Sequence, residues 1–382
     1  MTTTDAPSPA THSPSGRPRP RALGWAADGT PGEWNAITDV PGVEVGYRTL
    51  IGPAGTVRTG VTAILPRGRA GVGRPVAAGT GVLNGNGEMT GTAWIAETGQ
   101  LGLPITISNT HAVGACHTGT VRWCSRHHPD LARQWLLPVC AETWDGYLND
   151  INGEHVTPDD VCAALDAAAH GPLAEGSVGG GTGMNCYGFK GGSGTASRLM
   201  PFGDATYTVG AFVQANFGSR AELTIRGRRV GPELDVPAPI EEDDWLYGDR
   251  TPGGAGSVIV VVATDAPLTG HQCAALARRV PLGLARTGTT GSVFSGDLFL
   301  AFSTANDRPS DTAFPQGEPS TAELVTSVAL PWNRIDALHT ATVQAVEEAV
   351  LGALVGADTM TGRAGHTSYA LPVDAVQALL DA

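Results

Sequence analysis

Gly253-Gly254-Ala255-Gly256-Ser257 runs directly into Val258-Ile259-Val260-Val261-Val262-Ala263. Glycines tolerate backbone conformations that other residues resist, and the apolar, β-branched run that follows, bounded by Asp265-Ala266-Pro267, reads as a fully buried strand. A serine at such a junction is placed to attack the carbonyl of Gly256 and cut the chain before itself. It would then carry both a hydroxyl nucleophile and a free α-amine to serve as its base. The same residues also describe a glycine turn into a core strand, with a serine that does no chemistry.

Other residues of chemical interest lie at strand ends. The apolar run Leu136 to Ala141 delivers Glu142-Thr143-Trp144-Asp145-Gly146-Tyr147-Leu148-Asn149-Asp150, either a binding edge with carboxylates and a tyrosine or a solvated acidic loop. Asn216 ends a long strand pattern, Tyr207 to Ala215, and Ser295-Gly296-Asp297 introduces another that continues to Thr304. His111 and His117 have no third ligand at a metal-binding spacing, so both are read as local polar or structural groups. Gly79, Gly81 and Gly85 are spaced G-x-G-x-x-x-G and fail the dinucleotide fingerprint. There is no phosphate-binding loop of the Walker type and no G-x-S-x-G nucleophile elbow.

The elements that must position these groups follow from periodicity and punctuation. Residues 1–24, rich in Thr, Pro, Ser, Ala and Arg, predict a disordered tail rather than a secretory signal. Strands are expected around Val43–Tyr47, Val61–Pro66 and Pro104–Asn109, with a short helix over Thr92–Thr98. Thr157-Pro158-Asp159-Asp160 starts a helix, and Thr269 with Gln272 forms a capping box for one running through Val280. Glycine-dense segments at 176–183 and 191–194 imply close backbone approach to another segment. A short strand is expected over Ala221–Ile225, then an exposed polar connector from about residue 226 to 250, containing Glu241-Glu242-Asp243-Asp244. A long amphipathic helix spans Ile335 to Leu354, and a last helix begins at Pro372. Strands followed by alternating strands and helices make a layered α/β sandwich.

Composition narrows the function. The formal net charge of −13 disfavours nucleic acid and suits an attraction for cationic groups such as a peptide's terminal amine. The six cysteines contain no C-x-x-C pair, which favours reduced thiols in a cytoplasmic setting, and no apolar stretch reaches the roughly 18 residues of a membrane span.

Several motifs, in order, resemble the L-aminopeptidase/D-amidase-esterase family, which also includes the β-peptidyl aminopeptidases. They are Ile37-Thr38-Asp39-Val40-Pro41-Gly42-Val43, Asn84-Gly85-Asn86-Gly87-Glu88, Ser108-Asn109-Thr110, Glu142-Thr143 with Tyr147-Leu148-Asn149-Asp150, and Gly181-Thr182-Gly183-Met184 with Lys190-Gly191-Gly192. Gly256-Ser257, Ser295-Gly296-Asp297 and Ala301-Phe302-Ser303-Thr304-Ala305-Asn306 complete the set, so the resemblance covers nearly everything from residue 25 onward.

The resemblance implies a four-layer αββα sandwich of the N-terminal-nucleophile kind: one catalytic domain over 25–382, self-cleaved into chains 25–256 and 257–382. It implies Ser257 as nucleophile with its own amine as base, Ser295 and Asp297 orienting amine and hydroxyl, and Asn216 and Tyr147 stabilising the oxyanion. Glu142 and Asp145 would hold the substrate's ammonium group. No metal or cofactor is required. The substrates would be small peptides, amides or esters with a free amine, and the chains would assemble as a homo-oligomer without nucleic acid or membrane. Some relatives carry Glu at the position of Asp297, so this side chain is one methylene shorter. The rival readings are an acyl transferase like ornithine acetyltransferase, which uses a threonine nucleophile where this chain has serine, and an uncleaved binding or scaffold protein of the same fold.

Overall fold

A computed structural model describes residues 8–26, 28–52, 55–245, 253–307, 314–315 and 317–382. The principal strands are β1 (Glu44–Ile51), β2 (Arg58–Leu65), β3 (Val76–Gly85), β4 (Gln100–Leu101), β5 (Ile105–Asn109), β6 (Val139–Thr143), β7 (Gly192–Phe202), β8 (Ala205–Asn216), β9 (Gly256–Thr264) and β10 (Ser295–Ser303). They form a four-stranded sheet, β1-β2-β5-β6, and a six-stranded sheet, β4-β3-β10-β9-β8-β7. The helices are α1 (Thr92–Thr98), α2 (Val113–His127), α3 (Pro158–Asp166), α4 (Gly270–Ala277), α5 (Val280–Arg286), α6 (Asp336–Val355) and α7 (Val373–Asp381).

The apolar run after Ser257 is continuous because β9 is covered on both faces. Val258, Val260 and Val262 pack with Ala345, Val346, Ala349 and Val350 of α6, while Ile259, Val261 and Ala263 meet Ile64, Ile105, Ile107 and Val139 of the smaller sheet. Each such side chain contributes about 1.5–3 kcal/mol by leaving water. On the far side of the smaller sheet, Val61, Ala63 and Leu65 pack with Cys116 and Trp123 of α2 and with Val161 and Leu165 of α3. The order is therefore helices, sheet, sheet, helices: the expected αββα sandwich.

The glycine-dense segments are places of close approach. A Cβ on Gly194 would lie 1.9 Å from the Ala349 carbonyl oxygen of α6, and one on Gly181 would lie 2.3 Å from the Ser193 nitrogen. The capping boxes at Thr157 and Thr269 are present with Asp160 and Gln272.

Five expectations are corrected. The tail is packed from residue 8 onward: Arg19 is buried, its guanidinium bonded to Glu175 (2.7 Å) and to the carbonyls of Trp34, Asn35 and Thr195. Arg17 caps the end of α6 through the Gly356 carbonyl (2.9 Å). Composition says disorder, but these two arginines have specific buried acceptors. Residues 1–7 lie outside the described ones.

The connector is likewise built in as far as residue 245. Val230, Leu234 and Ala238 are buried, and a helical turn at Pro239–Glu242 leads to Trp245. Apolar residues spaced four apart among charges and prolines supply one buried side that the overall polarity conceals. Residues 246–252 lie outside the described ones. The stretch holding His111 and His117, expected as loop, contains α2. Its Gly114, Gly119 and Thr residues are weak helix formers, yet a Cβ on Gly119 would come within 2.5 Å of Val161, so glycine is what lets α2 and α3 pack. Ala221–Ile225 is a single 3-10 turn plus two extended residues, Thr224–Ile225. The helix after Thr269 stops at Ala277 and restarts at Val280, where Pro281 opens α5.

Candidate active site

Strand register assembles the site. β8 runs antiparallel to β9 with Asn216 opposite Ser257, and β10 runs parallel to β9 with Gly296 opposite Ser257. Directly opposed residues share a face of a sheet and neighbours alternate. Ser257 and Asn216 therefore face the gap between the sheets, while Ser295 and Asp297 flank Gly296 on the face toward the helices. The two glycines at the junction are required by contact. A Cβ on Gly256 would lie 2.0 Å from the Asn216 carbonyl oxygen, and one on Gly296 would lie 2.1 Å from that of Asn86.

The Ser257 side chain is 2% exposed, and its Oγ accepts the Trp144 backbone N–H at 3.1 Å. Asn216 donates from Nδ2 to the Trp144 carbonyl (3.0 Å), while its Oδ1 accepts the Asn185 N–H (2.8 Å), which fixes which end of the amide faces the nucleophile. On the other face, Ser295 Oγ donates to Asp297 Oδ1 (2.6 Å) and Asn84 Nδ2 donates to Asp297 Oδ2 (3.0 Å). Burial pushes the Asp297 carboxyl above its ordinary range, and these two hydrogen bonds and the Val258 backbone pull it back.

Ser257, Asn216, Glu142, Glu88 and Thr110 line one cavity of about 570 Å³, together with Trp144, Asn86, Phe294 and Gly254 to Gly256. Ile240, Glu241 and Trp245 of the former connector close another side, with the Trp245 ring 5.7 Å from that of Trp144. Glu142 is 2% exposed; Oε1 accepts the Glu88 N–H at 2.9 Å and Oε2 the Thr110 hydroxyl. Burial raises its pKa, and these two donors oppose the rise. The cavity thus offers a desolvated anion at one wall and a hydroxyl with neighbouring amide donors at another. That arrangement can hold an ammonium group while an acyl carbon meets Ser257.

Four of the expected residues do not line this cavity: Ser295 and Asp297 lie on the face toward the helices, and Asp145 and Tyr147 lie off it. Asp145 is fully buried behind the cavity, with Oδ1 accepting from Asn149 (3.1 Å), and burial lifts its carboxyl to about 7 against the hydrogen bonds of Thr59, Asn149 and Asn109. Tyr147 is 1% exposed, stacks on His366, and points its hydroxyl at the Thr367 carbonyl (3.4 Å); burial pushes its pKa up to about 12. Conversely, the motifs contain Thr110, Glu88 and Asn84 but assign them no role. The Trp144 N–H was invisible because a backbone donor leaves no mark on residue identity.

Residues 35–368 match peptidase family S58. A β-peptidyl aminopeptidase (BapA) from Sphingosinicella microcystinivorans is 45% identical over 374 residues, covering 95% of this chain and 92% of that protein; its counterpart from Sphingosinicella xenopeptidilytica is 43% identical, with 96% and 91% covered. Among solved structures, the L-aminopeptidase D-Ala-esterase/amidase of Ochrobactrum anthropi, described as a prototype serine aminopeptidase with a variant Ntn hydrolase fold, superposes with a TM-score of 0.86 at 43% identity, covering 96% of this chain and 98% of that one. A Burkholderia sp. β-aminopeptidase gives a TM-score of 0.85 at 44% identity, with 95% and 98% covered. With this fold, a serine opening the central strand and these relatives, the chain belongs to peptidase family S58 and has the Ntn hydrolase fold.

Proposed function

We propose that the chain cuts itself between Gly256 and Ser257 and then hydrolyses small peptides, amides or esters that begin with a free amine, β-amino acid residues included. The observation that carries this is the placement of Ser257: buried, at the first turn-to-strand step, with Oγ facing the cavity that Glu142 also lines. In the first reaction Ser257 Oγ bonds to the Gly256 carbonyl carbon, the C–N bond breaks, and the nitrogen takes up the proton as a free amine. Water then hydrolyses the ester, restoring the hydroxyl and leaving a carboxylate on Gly256. Before cleavage the nitrogen is an amide without useful basicity. Afterwards, with an unperturbed pKa of about 7.7–8.0, it is a base near working pH.

In the second reaction the amine takes the Ser257 proton, Oγ attacks the substrate carbonyl, and the departing amine or alcohol receives the proton. The acyl-serine is then released by water. Asn216 Nδ2 donates to the oxyanion, and the Tyr147 hydroxyl, held only weakly at 3.4 Å, turns from Thr367 to join it. Ser295 and Asp297 orient the amine, and Glu142 binds the substrate's ammonium. Asp145 supports that wall from behind. The same reading places the enzyme in the cytoplasm, where its six free, buried cysteines stay reduced, as an assembly of paired chains. No helix among the described residues is long and apolar enough to cross a membrane.

Intact mass under denaturing conditions tests the reading. Wild type should separate into two chains divided between Gly256 and Ser257 and hydrolyse β-alanyl and L-alanyl p-nitroanilides. Ser257→Ala should stay whole and inactive. A wild-type chain that remains whole after long incubation refutes it.

A further inference from the structure

Asn84 carries no step in the chemistry above, yet its side chain is fully committed. Its amide has two hydrogens, and Nδ2 donates to Asp297 Oδ2 (3.0 Å) and to the Ser292 carbonyl (2.9 Å), so both are used. An irregularity in the sheet puts it there. Asp297 pairs with Asn84 but Leu298 pairs with Val82, which leaves Leu83 as an extra residue in β3. Such a bulge re-aims the side chain beside it and is common next to active sites.

The consequence runs through three side chains. Asp297 is 3% exposed and is held at both oxygens, Oδ1 by Ser295 and Oδ2 by Asn84. With Asp297 fixed, the single hydroxyl hydrogen of Ser295 is spent on it, so Ser295 Oγ faces its surroundings through lone pairs alone. It is then an acceptor, which is what an N–H of the Ser257 amine requires. Without Asn84 the aspartate keeps only Ser295 and the Val258 backbone, and it gains freedom to rotate about its last torsion and let the hydroxyl turn. Since Asn84 is uncharged, it restrains the carboxylate without neutralising it.

We infer that Asn84 is a positioning residue of the reaction: through Asp297 it sets the direction of the Ser295 hydroxyl beneath the amine of Ser257. This rests on the reading of that amine as the base. The test is steady-state kinetics on β-alanyl p-nitroanilide for Asn84→Ala and for Asn84→Leu, which keeps the approximate shape and removes both hydrogens without adding charge beside Asp297. Rates are expressed per cut chain, and each variant is also made in the Asp297→Asn background.

In both variants kcat should fall roughly 10- to 100-fold, the loss of one hydrogen bond to a charged group, with KM within about twofold. In the Asp297→Asn background the further loss should disappear, because the two residues act through one network. Unchanged kcat in Asn84→Leu, a loss shared by KM, or the same loss persisting without Asp297 would overturn the inference. A wild type that is cut and active beside unaffected Asn84 variants sinks this inference alone. A wild type that stays whole and inactive sinks the N-terminal-serine reading and this inference with it.

Discussion

Replacing Glu142 by Gln tests whether the aminopeptidase character resides where the cavity places it. The free enzyme has already desolvated this carboxylate, which is 2% exposed and held by the Thr110 hydroxyl and the Glu88 N–H. A substrate ammonium therefore meets a pre-paired anion, and only its own dehydration opposes binding. Two unit charges about 4 Å apart attract by about 4 kcal/mol at an effective dielectric of 20. A hydrogen bond to a charged group is worth about 1.5–3 kcal/mol net, so the dehydration removes part of that attraction. The expected loss of kcat/KM in Glu142→Gln is therefore about 10- to 100-fold. Some of it could come from a disturbed wall, since the new amide nitrogen has no use for the Glu88 N–H. The assay separates the two by comparing β-alanyl p-nitroanilide with its propionyl analogue, which lacks the amine. Wild type should prefer the amine, and Glu142→Gln should lose that preference while processing the propionyl compound about as before. The wild-type preference should also weaken as pH falls, beginning above the usual carboxylate range because burial raises the Glu142 pKa. An equal loss on both substrates would refute the assignment.

Asp145→Asn should leave kcat/KM within about threefold, because Asp145 is behind the cavity rather than in it. Its folded pKa is raised from 3.8 to about 7, so its contribution to stability is complete below the unfolded value and lost as pH rises through about 7. Denaturant titrations should show the variant gaining on wild type between those values, by at most about 4 kcal/mol; no pH-dependent difference would contradict the placement. Gly194→Ala should lower the melting temperature by several degrees, since a Cβ 1.9 Å from the Ala349 carbonyl oxygen meets backbone that no rotamer change can move. Activity per cut chain should survive in that variant, because β7 contributes nothing to the cavity wall.

The strand that begins at Ser257 was legible because the signal is local, whereas the role of the serine rested on the motifs around it. Five consecutive β-branched residues after a glycine run can scarcely be anything but a buried strand, and Ser257 sits at its start. The groups around it came from three separate strand ends, and only the resemblance put Asn216, Glu142, Ser295 and Asp297 in one place. The directions in which Asp145 and Tyr147 point were illegible for the same reason. Past the end of β6 the chain turns, and nothing in Trp144-Asp145-Gly146-Tyr147 says which side chain faces the cavity and which the interior. The connector deceived through its average: Val230, Leu234 and Ala238 are too sparse to outweigh the charges between them, but each buries fully or nearly so.

The site's two faces suggest why the chemistry needs a strand rather than a loop. On the proposed reading Ser257 presents its hydroxyl to the cavity and its nitrogen to Ser295 and Asp297, and alternation along β10 puts that pair on the face opposite the first. A cut before Ser257 leaves eight residues of β9, Ser257 to Thr264, paired on both sides and covered by both cores, so the new terminus has little freedom despite its broken bond. The residues released, Gly254 to Gly256, are those whose backbone lines the cavity in the uncut chain. Cleavage in this geometry would create the base and open space beside it in a single event.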